Sequence, residues 1–171
     1  MKFSVEHTFR GITLAEYERL YFDEEFNKAL CAKVRLSRQV KKNERTDTTV
    51  SRVVKVGPDR EIPKPVAKVL GVDRIEYEEH VDYRFGSFRG RWQTIPMVLP
   101  NKVKSEGSFA FTEVPGGVRR VVEGDIDVRI LGVGSLIEKF IVSDVEKSYD
   151  DAAAFTQGYI TEGRHKSAGN S

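Results

Sequence analysis

The sequence predicts an α+β domain in which seven antiparallel strands curl around one long C-terminal helix. Three observations carry this. Apolar residues alternate with polar ones over seven separate runs between Lys2 and Ile130, the period of a half-buried strand. Short polar or Gly/Pro segments separate most of these runs, as they do in antiparallel meanders. From Val133 to Tyr159 the apolar spacing changes to threes and fours, the period of a helix.

The elements follow in order. Phe3, Val5, His7 and Phe9 share one face of a strand over residues 2–10. Thr13, with Glu16 three residues on, forms a capping box for a short helix ending near Tyr21. Asp23 caps a second short helix with Phe26, Ala29 and Leu30 on one face. Two strands then run from Val34 to about Gly57 around a polar turn at 42–47, and Thr48, Val50, Arg52, Val54 and Val56 form one row. Residues 58–71 contain Pro58, Pro63 and Pro65 and read as a loop with one helical turn. Ile75, Tyr77, Val81, Tyr83 and Phe85 mark one face of the next strand, with Glu76, Glu78, His80, Asp82 and Arg84 opposite. The following strand carries Phe88 and Trp92 against Arg89, Arg91 and Gln93, and Pro96 places an edge or a bulge in it. Val103, Ser105, Gly107, Phe109 and Phe111 line the sixth strand, and Val118, Val122, Ile126, Val128 and Ile130 the seventh, with a hairpin at Pro115-Gly116-Gly117 between them. Glycines 107 and 124 remove side chains from the sheet interior or mark bulges that bend it. The last helix spans about 135–161, roughly 40 Å. One domain over 1–162 is expected, followed by a flexible tail over 163–171.

Bulk properties narrow the function. Lys and Arg number 28 against 26 Asp and Glu, too balanced to call for nucleic acid. The opening MKFSVEHTFRG lacks the apolar stretch of a signal peptide, and no segment reaches about 18 apolar residues. The expectation is a cytoplasmic protein without integral membrane association, with room for transient membrane contact. The lone Cys31 offers no internal disulfide and reads as a buried structural residue.

The segment LGVGSLIEKFIVSDVEKSYDDAAAFTQGYI and the opening MKFSVEHTF resemble an uncharacterised bacterial family within the START and birch-pollen-allergen (SRPBCC) superfamily, whose members have the helix-grip fold. The order of elements resembles that fold over nearly the whole chain. The resemblance implies an internal cavity for an apolar ligand such as a lipid or sterol. Some relatives are polyketide aromatase/cyclases and others are chaperone activators.

No catalytic constellation stands out. His7 lies on an apolar face and reads as a hydrogen-bonded core histidine or as a polar anchor in a cavity; nothing near it in sequence completes a dyad. His80 sits among Glu76, Glu78 and Asp82 on a solvated face, without the converging geometry of a metal site. Glu123, Asp125 and Asp127 share an outer face where Arg89, Arg91, Lys102 and Lys104 can pair with them. Gly132-Val133-Gly134 lacks the Lys-Ser/Thr of a P-loop. Asp144 and Ser148 interrupt the apolar stripe of the last helix, and its rotation decides whether they meet a ligand or water. No cofactor and no metal are expected.

The expected function is binding or transfer of a hydrophobic small molecule between sheet and helix, entering between loops 57–71 and 131–135. The expected lining is His7, Phe9, Phe26, Leu30, Tyr77, Tyr83, Trp92, Phe109, Phe111, Ile126, Leu136, Phe140 and Asp144. Two alternatives stand beside it. One is a cyclase-like enzyme using His7, Tyr77, Tyr83 and Asp144 as acids and bases. The other is a protein-interaction domain with a packed core.

Overall fold

The computed structural model describes residues 1–169. The chain forms β1 (Lys2–Arg10), α1 (Leu14–Tyr21), α2 (Glu24–Lys33), β2 (Leu36–Arg45), β3 (Thr49–Pro58), α3 (Lys64–Leu70), β4 (Tyr77–Arg84), β5 (Arg89–Pro96), β6 (Val103–Val114), β7 (Gly117–Val128) and α4 (Gly134–Thr161). Short 3₁₀ turns cover Pro100–Lys102 and Arg164–Ser167. The strands make one open antiparallel sheet in the order β1-β7-β6-β5-β4-β3-β2, and α4 packs on β1 and β7. No described helix is long and apolar enough to cross a membrane.

Local chemistry sets the boundaries. Thr13 and Glu16 exchange the two hydrogen bonds of a capping box, 3.0 and 3.2 Å, and the Asp23 carboxylate accepts from the Phe26 N–H at 2.9 Å, so the first turns of α1 and α2 lose orphan donors. Val114 pairs with Gly117 across a two-residue turn, where Gly116 takes φ +75°. The edge strand β2 is exposed beyond Arg38, rich in Lys and Arg and bulged between Val40 and Lys42, features that discourage pairing with another sheet.

Gly107 and Gly124 face each other across β6 and β7, and the Trp92 ring of β5 lies over both. A β-carbon at Gly124 would meet Phe3 Cε1 at 2.7 Å and overlap the indole, and one at Gly107 would come within 2.8 Å of the same ring. These glycines leave room for a tryptophan.

The interior divides along the sheet. At the α1 end it is solid and aromatic. Tyr21 stacks on Phe109 at 5.2 Å, Tyr17 meets Phe111 edge-on at 4.8 Å, and Phe22 packs on Tyr83 at 4.7 Å. Between the middle of α4 and strands β3 to β5 the sheet and helix leave space.

Residues 163–169, expected as a flexible tail, form a turn against α1, with His165 and Ala168 buried and the Gly169 N–H donating to Asp23. Residues 170 and 171 of that segment lie outside the described residues.

Candidate functional site

Between the sheet and α4 lies a cavity of about 310 Å³. The inner rows of β3 to β5 form one wall with Val54, Val56, Tyr77, Trp92 and Thr94. Phe26 and Leu30 of α2 close one side. Ile137, Phe140, Ile141, Val145 and Tyr149 of α4 form the roof, and Pro58 at the end of β3 and Arg60, Ile62 and Leu70 after it border the space. A more open depression, about 560 Å³, adjoins it between the end of α2 and the β2–β3 edge.

Of the expected lining residues, Phe26, Leu30, Tyr77, Trp92, Phe140 and Asp144 stand on the wall. The other seven do not, for separate reasons. Tyr83, Phe109 and Phe111 are consumed by the aromatic core under α1, and the Tyr83 hydroxyl donates to Glu18 at 2.6 Å. Phe9 stacks on Tyr17 at 5.1 Å, and Ile126 is fully buried in β7, a strand that α4 covers. Leu136 points outward, 50 % exposed, because the phase of α4 puts Ile137 and Phe140 on the wall. His7 is held between Arg120 and Asp150. The acid/base set His7, Tyr77, Tyr83 and Asp144 is therefore not assembled; only Tyr77 and Asp144 face the cavity.

Charges occupy three inner-row positions. Arg52 sits between Val50 and Val54, Glu79 between Tyr77 and Val81, and Arg120 between Val118 and Val122, and all three border the cavity. Arg52 is legible in its row, but Glu79 and Arg120 escape the sequence reading. The signal that finds them is a charge in register with an apolar alternation, since burying one without a partner is costly.

Arg120 is 4 % exposed. Its Nη2 lies 3.1 Å from His7 Nδ1 and its Nη1 donates to the Tyr17 hydroxyl at 3.4 Å. The guanidinium lies over Phe9 and Tyr149 at 5.3 and 5.1 Å. Arginine only donates, so His7 Nδ1 accepts. His7 is then neutral with its proton on Nε2, which donates to Asp150 Oδ1 at 2.7 Å. The structure thus supplies the His7 partner that local sequence lacks, 143 residues away. Arg120 Nε has no partner among the described residues.

Arg52 is 6 % exposed and lies over the Phe22 ring. Its Nη2 stands 3.9 Å from Glu79 Oε1, beyond hydrogen-bond reach, and its Nε and Nη1 have no partner among the described residues. The other wall arginines are matched. Arg38 grips Glu24 at 2.6 and 3.0 Å. Arg60 forks onto Asp144 at 2.9 and 2.8 Å and donates to Ser148 at 2.9 Å. Asp144 and Ser148 accordingly face inward, and the arginine takes up their bonding.

Burial pushes the Tyr21, Tyr77 and Tyr149 hydroxyls well above the ordinary phenol range, and the Glu79 charge adds to this for all three. They remain neutral, able to donate and accept. Tyrosine hydroxyls bond at Tyr17 and Tyr83; those of Tyr21, Tyr77 and Tyr149 have no hydrogen-bond partner among the described residues. The site is therefore an apolar chamber with a belt of under-satisfied polar groups across it.

Residues 4–160 match the profile of the family described as a protein of unknown function, DUF2505, and the chain belongs to that family. No curated protein sequence matches it. Solved structures similar to it include TTHA0849 from Thermus thermophilus, with TM-score 0.61 and 15 % identity over 90 % of this chain and 95 % of that one. Protein Ms6760 from Mycobacterium smegmatis has TM-score 0.59 and 13 % identity over 94 % and 91 %. A conserved protein from Geobacillus kaustophilus has TM-score 0.56 and 11 % identity over 95 % and 96 %. These likenesses carry the fold.

Proposed function

We propose that this DUF2505 protein binds a hydrophobic small molecule, lipid-like or aromatic, in the cavity between the sheet and α4. The observation that supports it is the cavity itself: about 310 Å³, at the lower end of the range of roughly 300–1,000 Å³ typical of small-molecule sites. A tightly interlocked interior would have ruled the reading out. The likeness to the helix-grip architecture, a curved sheet around a long helix, agrees with it.

The walls supply the affinity. A ligand that buries about 200 Å² of apolar surface gains about 5 kcal/mol at roughly 25 cal/mol per Å², before the polar belt adds orientation. We place the entrance at the segment after β3, where Arg60 and Glu61 border the cavity and Arg60 reaches across to Asp144 and Ser148 of α4. Met97 and Leu99, chain neighbours of Pro96 and Val98 on the wall, are exposed apolar residues.

Native mass spectrometry of the protein purified from its own host tests the proposal. A copurifying small molecule, released by organic solvent and absent from an Ile141→Trp variant, is the expected result. A bare polypeptide mass, together with no binding of fluorescent apolar probes, would overturn it.

A further inference from the structure

The charge balance of the cavity specifies its ligand further. Arg38 is matched by Glu24 and Arg60 by Asp144; Glu76 is matched by Lys55 at 3.4 Å, and Glu61 is exposed at the entrance. Three charges remain inside: Arg52, Arg120 and Glu79. Two guanidiniums face one carboxylate, so the interior carries one positive charge in excess.

Arg120 is where that charge lacks an anion. Its partners are a neutral imidazole, a phenol and two aromatic faces. Asp150, the carboxylate beyond His7, is on the solvent side and 72 % exposed, so water screens it. A buried guanidinium without a carboxylate in contact is expensive, and a ligand oxyanion beside it would offset that cost. Tyr149, whose ring lies under the guanidinium, and Tyr21 bring free hydroxyl donors to the same region of the wall.

The geometry points to a small apolar monoanion, a carboxylate or sulfonate on an aromatic or aliphatic body, bound with its oxyanion at Arg120 and its body toward Phe140 and Trp92. This rests on the cavity reading above. Glu79 sets a limit on the ligand, because a second negative charge in the chamber would meet its carboxylate.

A matched pair of fluorescent probes separates the two readings: 8-anilinonaphthalene-1-sulfonate and N-phenyl-1-naphthylamine share one aromatic body and differ by the sulfonate. The wild-type protein is expected to bind the sulfonate one-to-one and about ten-fold more tightly than the neutral amine, the effect of one charge-assisted contact. Arg120→Gln is expected to erase that preference and leave the neutral probe within about three-fold of wild type. Tyr149→Phe, which keeps the ring under the guanidinium, is expected to weaken the sulfonate alone by about three-fold. Thermal melts verify that each variant is folded, and if Arg120→Gln unfolds, Tyr149→Phe decides.

Equal or tighter binding of the neutral amine by the wild type would overturn the anion site while leaving the cavity reading standing. Undiminished sulfonate binding in a folded Arg120→Gln, or in Tyr149→Phe where that variant decides, would also overturn it. Binding of neither probe would overturn both readings.

Discussion

Arg60, on the segment that follows β3, forks onto Asp144 of α4 with hydrogen bonds of 2.9 and 2.8 Å and so ties that segment to the helix beside the cavity. The pair is partly exposed, 35 and 27 %, and α4 packs chiefly on β1 and β7, at the other side of the sheet. The fork therefore bears on the proposed entrance more than on the stability of the fold.

Arg60→Ala is expected to cost only about 0.5–1.5 kcal/mol in urea unfolding, as befits a partly exposed bidentate pair. The same substitution is expected to speed release of a bound apolar probe by about three-fold or more, since opening the entrance no longer breaks a charged fork. Stopped-flow dilution of probe-loaded protein measures this. An unchanged release rate would remove Arg60 from the entrance.

Gly124→Ala tests the packing of Trp92 on the two facing glycines. The added methyl overlaps the indole and presses on Phe3, so the substitution is expected to destabilise by about 2–4 kcal/mol. Trp92 is the sole tryptophan, and its emission should shift as the ring moves. Denaturant titration and the emission spectrum of the folded variant check both.

Stability should fall in acid through Glu24 and Glu16. Burial alone would raise the Glu24 pKa, but the Arg38 fork and the nearby charges of Arg52 and Lys28 hold it below its ordinary 4.5. The Thr13 N–H does the same for Glu16 from the capping box. Because folding lowers both values, the folded state binds fewer protons than the unfolded chain just below pH 4.5. Stability is then complete above that pH and declines as pH drops through the lower folded-state values. Glu24→Gln is expected to cost about 1–2 kcal/mol at pH 7, allowing for screening at a group one-third exposed. It should also flatten the decline between about pH 4.5 and 3. Unfolding curves from neutral pH down to about pH 3 measure the slope, and an equal slope in the variant would contradict the assignment.

The fold is readable because it rests on periodicity and local chemistry. The capping box at Thr13, the Asp23 cap, the Pro115-Gly116 turn and the period change before Gly134 each act within a few residues. The wall of the cavity is half readable for the opposite reason. Phe109, Phe111 and Tyr83 carry the same inward alternation as Trp92, and only the descent of α1 onto one end of the sheet separates core from chamber. That descent is a tertiary fact with no period of its own. The pairing of His7 with Asp150 and of Arg60 with Asp144 spans 143 and 84 residues, beyond any local pattern. Arg120 and Glu79 are visible in principle, as charges in register with apolar rows.

The most direct test of the account is a fluorescence titration of N-phenyl-1-naphthylamine into the wild-type protein and into Ile141→Trp, which fills the chamber from α4. Saturable one-to-one binding by the wild type with quenching of Trp92, weakened by about ten-fold or more in a folded Ile141→Trp, is the predicted result. Binding that is equally tight in the filled variant, or absent from the wild type, would contradict a ligand in that space.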